Sequence, residues 1–266
     1  MRTVYFLLFL LLAPAANLRA QPAARRAATR ALATEIRRLN YLRYEAPDTA
    51  TPDRWELLER APARMEALAR RHAAAIAQLP DTTDYEFVSL AHSEDRRLTL
   101  LSWDTRLGGT MIQYAAIAIF RGADGRLRTK RIRDRSKTLP DPLMHYDEVH
   151  TRASGGDTCY VAYGKGQGST ALPWQELRVF RLRGNALAEA PVFPGNSSRL
   201  FVEFDTHDFK QEERIPVIRV EDSARRLLLP EAGQKNGFDG YYSVYRWSRG
   251  RYTLQKSRYY QKPKHH

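Results

Sequence analysis

The sequence predicts a mainly-β chain with an N-terminal helical hairpin. Its β region is three four-stranded antiparallel meander repeats, propeller-like in arrangement or, alternatively, forming a β-sandwich or barrel. Three observations lead there. Apolar residues recur at spacings of three and four as far as Leu79, the period of an amphipathic helix. From Asp84 onward, short β-branched and aromatic runs are separated by Gly, Asp, Asn and Ser, the texture of strands and turns. Within that β region a single pattern returns three times, and self-similarity at a fixed period marks a repeat architecture.

Residues 1–20 read as a signal peptide. Met1 and Arg2 give a positive start, and Val4 to Leu12 is an unbroken apolar run of nine residues, against the roughly twenty needed to span a bilayer. The small residues that follow offer two cuts, after Ala15 and after Ala20. No cysteine lies near either cut, which excludes lipoprotein attachment. No later segment is apolar enough to cross a membrane, so the expectation is an exported protein, periplasmic or secreted, without a transmembrane span after signal cleavage.

Residues 21–81 predict the hairpin. Ala28, Leu32, Ile36, Leu39 and Leu42 form one apolar stripe, and the stretch around Pro47 ends it. Thr51-Pro52-Asp53 reads as a helix start, with a hydroxyl cap, Pro at the first position and an acid at the positive end. Trp55, Leu58, Met65, Leu68, His72, Ile76 and Leu79 form the next stripe, which Pro62 must kink or split. On that stripe His72 reads as a packed residue rather than a ligand.

Residues 84–260 predict the repeat β domain, in units of about 85–133, 146–193 and 215–259. Each unit carries an aromatic followed by arginine ahead of a turn: Phe120-Arg121, Phe180-Arg181 and Tyr245-Arg246, the aromatics 60 and 65 residues apart. Upstream, Leu98–Trp103, Thr158–Tyr163 and Arg226–Leu229 are candidate second strands, and Tyr85–Ala91, Tyr146–Thr151 and Ile215–Val220 candidate first strands. Glycine-bearing connections, Arg106–Thr110, Gly164–Thr170 and Gly233–Gly240, lead to the third strand each time. Three units fall short of the four blades of a small closed propeller. Arg199–Asp205 is therefore a candidate to open a fourth sheet, and the helical hairpin a candidate to fill the gap.

Cys159 is the only cysteine, so the chain has no internal disulfide and no Cys-clustered metal site. It sits in a strand-like run and reads as a buried small hydrophobe. The formal charge is +13, and loss of Arg2 and Arg19 with residues 1–20 leaves 13 − 2 = +11. The basic residues are mostly arginine and are dispersed, not interleaved with stacking aromatics, which argues against dedicated nucleic-acid binding. Adhesion to anionic surfaces is a reasonable consequence of such a charge.

The segment Ser102-Trp103-Asp104-Thr105, followed by Gly108-Gly109-Thr110-Met111, resembles a motif (SWDT-x2-GGTM) of uncharacterised exported bacterial proteins. Those proteins also look like helices followed by β repeats. The resemblance implies export and this architecture, and it brings no activity with it.

No GxSxG or HExxH motif occurs. Gly164 to Thr170 places its lysine too early for a phosphate loop, and a strand rather than a helix follows. His145, Asp147, Glu148 and His150 crowd six positions without ligand spacing, and read as solvated loop residues. No catalytic set, cofactor or metal is expected. The ligand-binding candidates are Trp103, Asp104, Thr105, Gly109 and Tyr146, at strand ends and in the first glycine-bearing loop. The expected function is a non-catalytic exported binding or structural module for a carbohydrate, a peptide or an anionic surface. A hydrolase of an extracellular polymer and a cationic surface binder are the alternatives.

Overall fold

In the computed structural model, the described residues are 4–47, 53–81, 88–133, 144–154, 157–209, 215–232, 238–255 and 258–259. Four helices come first: α1 (Val4–Tyr44), α2 (Arg54–Glu59), α3 (Ala61–Arg71) and α4 (Ala73–Ile76). The α1 stripe from Ala28 to Leu42 is buried throughout. Pro62 splits the second helical run, standing in the first turn of α3 where its missing N–H costs nothing. The cap of α2 is Asp53, whose carboxylate accepts the Trp55 N–H at 3.0 Å; Thr51 and Pro52 lie outside the described residues. Trp55 leaves its expected stripe and is exposed, between the guanidinium groups of Arg43 and Arg54. No helix among the described residues is long and apolar enough to cross a membrane.

Three antiparallel sheets follow, each a meander of four strands. The first is β1 (Val88–His92), β2 (Leu98–Asp104), β3 (Tyr114–Arg121) and β4 (Leu127–Ile132). The second is β5 (His145–Ser154), β6 (Asp157–Ser169), β7 (Leu172–Arg183) and β8 (Ala186–Glu189), with β9 (Arg199–Glu203) also paired to β7. The third is β10 (Arg219–Glu221), β11 (Arg226–Ala232), β12 (Phe238–Ser248) and β13 (Arg251–Leu254), with β14 (Arg258–Tyr259) also paired to β12. In the second and third sheets the fourth position is thus shared by two short strands on one long neighbour. Arg199–Asp205 therefore opens no fourth sheet; β9 completes the second.

The layers stack helices, first sheet, second sheet, third sheet. Leu32, Leu39, Met65 and Ile76 of the helices meet Leu101, Trp103, Ile117 and Ile119. Leu98, Leu100, Ala116, Ala118 and Phe120 of the first sheet meet Tyr146, Tyr160 and Phe180 of the second. Val161, Leu177 and Val179, on the other face of the second sheet, meet Leu227, Tyr245 and Tyr252 of the third. A strand buried on both faces needs apolar residues at successive positions, which explains the unbroken runs at 115–120 and 159–163. Among the described residues, no strand pairing joins one sheet to the next and no barrel closes.

The repeat is present in the topology: Phe120, Phe180 and Tyr245 lie on the third strand of their meanders, opposite Leu98, Tyr160 and Leu227 of the second. The orientation is not uniform. Phe180 and Tyr245 point toward the preceding sheet, whereas Phe120 points toward the following one. Sheet faces alternate residue by residue, and the first sheet turns Ile117 and Ile119 toward the helices instead.

Two further expectations are corrected. Gly164–Thr170 is not a connection between strands but mostly strand itself: β6 runs to Ser169, with a bulge between Gln167 and Ser169. At Gly164 a Cβ would stand 2.4 Å from the His145 carbonyl oxygen and 2.5 Å from Met144 Cγ, so only glycine lets β5 lie this close. In 215–220 only the end is strand, beginning at Arg219. The residues before it are irregular but anchored, since buried Gln175 accepts from the Ile218 N–H and donates to the Pro216 carbonyl, both at 2.8 Å.

Candidate functional site

In a meander the first and third turns lie at one end of the sheet and the middle connection at the other. At the turn end, equivalent turns of the first two sheets touch: Ala123 N donates to Gly184 O at 2.9 Å, and Asp124 N to Asn185 Oδ1 at 3.3 Å. At the opposite end the middle connections converge. Gln167 Nε2 of the second sheet donates to Thr110 O of the first at 2.8 Å. The third connection, through residues 233–237, lies outside the described residues.

The first connection is held from both sides. Asp104, the last residue of β2, accepts the Arg106 backbone N–H at 2.7 Å and the Arg106 guanidinium at 2.8 Å. Arg106 has φ 64°, a left-handed conformation uncommon for a side-chain-bearing residue. Its guanidinium also reaches Asn40 Oδ1 at 3.1 Å, and Arg43 donates to Gly108 O at 3.1 Å, so the end of α1 fastens the loop. Thr105 is buried and bonds Gln113 O through both its N–H (2.8 Å) and its hydroxyl (2.9 Å).

Across from this loop, β5 begins with a bulge at Asp147. His145 Nδ1 lies 3.0 Å from Asp147 Oδ1, and Lys165 Nζ 3.2 Å from Asp147 Oδ2. The His145 ring packs on Tyr114, which is paired in register with Asp104. Burial alone would raise the Asp147 pKa, but the His145 hydrogen bond and the Lys165 charge outweigh it and hold the carboxyl below its ordinary value. Burial raises the Tyr114 pKa, and the Asp104 and Asp147 carboxylates add to that. The site thus sets a carboxyl that favours its charged form and a phenol that holds its proton beside the Lys165 Nζ and an imidazole whose Nδ1 is already engaged.

The structure distributes the five sequence candidates unequally. Asp104 and Thr105 belong to this end of the molecule, as frame. Gly109 is exposed, with no described atom within 4 Å of where a Cβ would stand. Trp103 is fully buried in the layer between the helices and the first sheet, and Tyr146 is fully buried between the first and second sheets. These two aromatics share no surface.

Arg106, Tyr114 and Lys165 enter the site from separate segments that no local pattern connects. His145 and Asp147 are not the solvated loop residues that the sequence suggests: both lie in β5, half-buried, and they meet where the bulge at Asp147 interrupts the regular alternation of the strand. Among the described residues no group of three or more His, Cys, Asp or Glu side chains is placed to hold a metal ion. Comparison with protein-family models, curated proteins and solved structures returns no match to this chain.

Proposed function

We propose that this chain is an exported, non-catalytic binding module whose three meanders follow the plan of propeller blades. In this reading residues 1–20 are the leader, and the ligand meets the end where the middle connections of the first two sheets come together. The carrying observation is the Gln167–Thr110 contact beside the cluster of Tyr114, His145, Asp147 and Lys165. It supports a polar surface shared by two repeats, suited to the hydroxyls and charges of an extracellular carbohydrate or peptide. The propeller-like plan draws support from the face-to-face stacking and the touching equivalent turns.

One observation favours a second reading, a hydrolase of an extracellular polymer. An Asp that fixes His Nδ1 leaves Nε2 as the ring nitrogen to handle a proton, the arrangement of a general base. The two readings diverge in one experiment. The purified chain is presented with panels of polysaccharides and peptides, and both retention and cleavage are measured for wild type, Lys165→Ala and His145→Ala. Retention without cleavage, weakened in both variants, is the expected result. Cleavage abolished by His145→Ala replaces the module with the enzyme, and no retention by any panel member defeats both.

A further inference from the structure

Arginines that are dispersed in the sequence gather in the fold. The first and third turns of each meander lie at the end opposite the middle connections, and contacts join that end across all three sheets. The third turns of the first two sheets touch, as described above. Between their first turns the Tyr160 hydroxyl donates to Asp95 Oδ2 at 3.0 Å, and Thr151 N donates to the Glu94 carboxylate. From the second sheet Arg152 Nη1 donates to Ser223 O, in the first turn of the third, at 2.7 Å. Packed sheets stand about 10 Å apart, so this end is a continuous face roughly 20 Å across.

Arg121 and Arg126 stand on this face from the first sheet, Arg183 from the second, and Arg225, Arg249 and Arg251 from the third, all exposed. None of them has a carboxylate partner among the described residues. Arg121 Nη1 donates to Gly125 O at 2.6 Å, which pins that guanidinium over its own turn. The acids of the same end are mostly committed. Asp124 is held by Arg128 at 2.7 Å, Glu221 by Arg226 at 2.6 Å and Glu94 by His150 at 3.4 Å, and Asp95 accepts from Ser93, Arg97 and Tyr160. Asp222 is the exception. The fold therefore leaves an excess of fixed positive charge here for a partner to neutralise. No lysine stands in these turns, and guanidinium offers the planar fork that carboxylates accept bidentately. None of the exposed large apolar side chains among the described residues lies there either. Single-stranded nucleic acids bind on aromatic platforms, and membrane-surface segments insert apolar residues; this face offers charge and hydrogen bonds instead.

We propose that the turn end of the three meanders binds a linear polysaccharide bearing carboxylate groups, laid across the sheets so that arginines of each take part. This face is separate from the end where the middle connections meet, and needs no ligand there. The choice of a polysaccharide over duplex nucleic acid rests on the export proposed above.

The test measures binding of the purified chain to polygalacturonate, neutral dextran, duplex DNA and vesicles of phosphatidylglycerol in phosphatidylcholine as salt is raised. Polygalacturonate is expected to bind at low salt and to weaken as salt screens the charges, with dextran not binding and DNA and vesicles binding less well per charge. Arg126→Gln, Arg183→Gln and Arg249→Gln together remove one cation from each sheet. They are expected to weaken polygalacturonate roughly tenfold, about twofold for each exposed ion pair. Arg26→Gln, Arg30→Gln and Arg37→Gln together, at exposed positions of α1, are expected to change it less than about twofold. In wild type, NMR amide signals of Gly125 and Gly184 are expected to move on titration while those of Gly108 and Gly109, at the opposite end, stay. Equal losses in the two triple variants, shifts confined to Gly108 and Gly109, tighter binding of DNA or vesicles, or no binding of polygalacturonate overturns the proposal. Uncut chain retained inside producing cells would remove export without altering these constants, so the two failures are told apart.

Discussion

Asp104 holds Arg106 by two atoms at once, the backbone N–H at 2.7 Å and the guanidinium at 2.8 Å, and so keeps a non-glycine residue at φ 64°. Both side chains are nearly buried, at 11% and 7% exposure. Removing one partner of such a pair leaves the other charge buried and uncompensated. Asp104→Ala is expected to cost about 3 kcal/mol in chemical denaturation and to free the loop through Gly108. A loss below about 0.5 kcal/mol, the range of an ordinary surface change, would show that the helix contacts alone hold the loop.

Two adjacent glycines in that loop have opposite expectations. A Cβ on Gly108 would stand 2.0 Å from Met111 O, a backbone atom that cannot step aside without moving the loop. A Cβ on Gly109 meets no described atom within 4 Å. Gly108→Ala is expected to destabilise by about 2 kcal/mol, and Gly109→Ala to stay within about 0.5 kcal/mol of wild type. Melting curves of the two variants side by side decide it. Equal effects would mean that the loop has another conformation in solution.

Much of the fold was legible because its signals are periodic. The stripe from Ala28 to Leu42 and the strand runs around Leu98–Trp103 and Tyr114–Phe120 are local patterns, and burial follows them residue by residue. What failed depends on neighbours distant in sequence. The glycines after Tyr163 look like a loop, but Gly164 lacks a side chain so that Met144 and His145 can approach. Phe120 matches Phe180 in strand and turn, yet faces the other way because the first sheet has helices where the second has a sheet. Trp103 and Tyr146 mark strand ends correctly, but an aromatic at a strand end fills an interface as readily as it greets a ligand. Of the site, His145 and Asp147 read as solvated loop residues because the bulge in β5 that brings them together leaves no local signal, while Tyr114 and Lys165 reach them only through sheet register and stacking.

The second sheet carries a buried charge network whose two ends have opposite consequences. Glu176 is fully buried and accepts from Arg178 Nε at 2.9 Å and from Arg199 Nε at 2.7 Å and Nη2 at 2.5 Å. Glu176→Ala leaves buried Arg178 without its carboxylate and is expected to cost about 3–5 kcal/mol. The nearby Tyr146 hydroxyl has no partner among the described residues. Tyr146→Phe therefore removes a desolvated polar group and is expected to be neutral or to stabilise by about 1 kcal/mol. If Tyr146→Phe instead destabilises by that much, an ordered water or ligand satisfies the hydroxyl in solution.

His150 makes stability depend on pH in a direction that follows from its surroundings. Burial would lower its pKa, but the hydrogen bond and charge of Glu148 and the charge of Glu94 outweigh it, so the folded value stands above the ordinary 6.5. The charged imidazole is favoured by folding, and its contribution is complete below the unfolded value and lost as pH rises through the raised one. Its partners work at the acid end. The His150 hydrogen bond leads the effects that hold Glu148 low, and at Glu94 the Thr151 contacts and the His150 charge overcome burial. Their contribution is present above the ordinary carboxylate range of about 4 and is lost as pH falls through the lowered values. His92 opposes His150: burial is the largest effect on it and its pKa is lowered, so its neutral form favours folding above 6.5. Wild type alone would mix the two histidines, and His150→Gln separates them. Melting temperatures of both proteins from pH 5 to pH 9 are expected to differ most on the acid side of 6.5, the gap narrowing as pH rises and His150 discharges. A gap that is constant with pH, or that widens toward pH 9, would show that His150 is held by packing rather than by the carboxylates beside it.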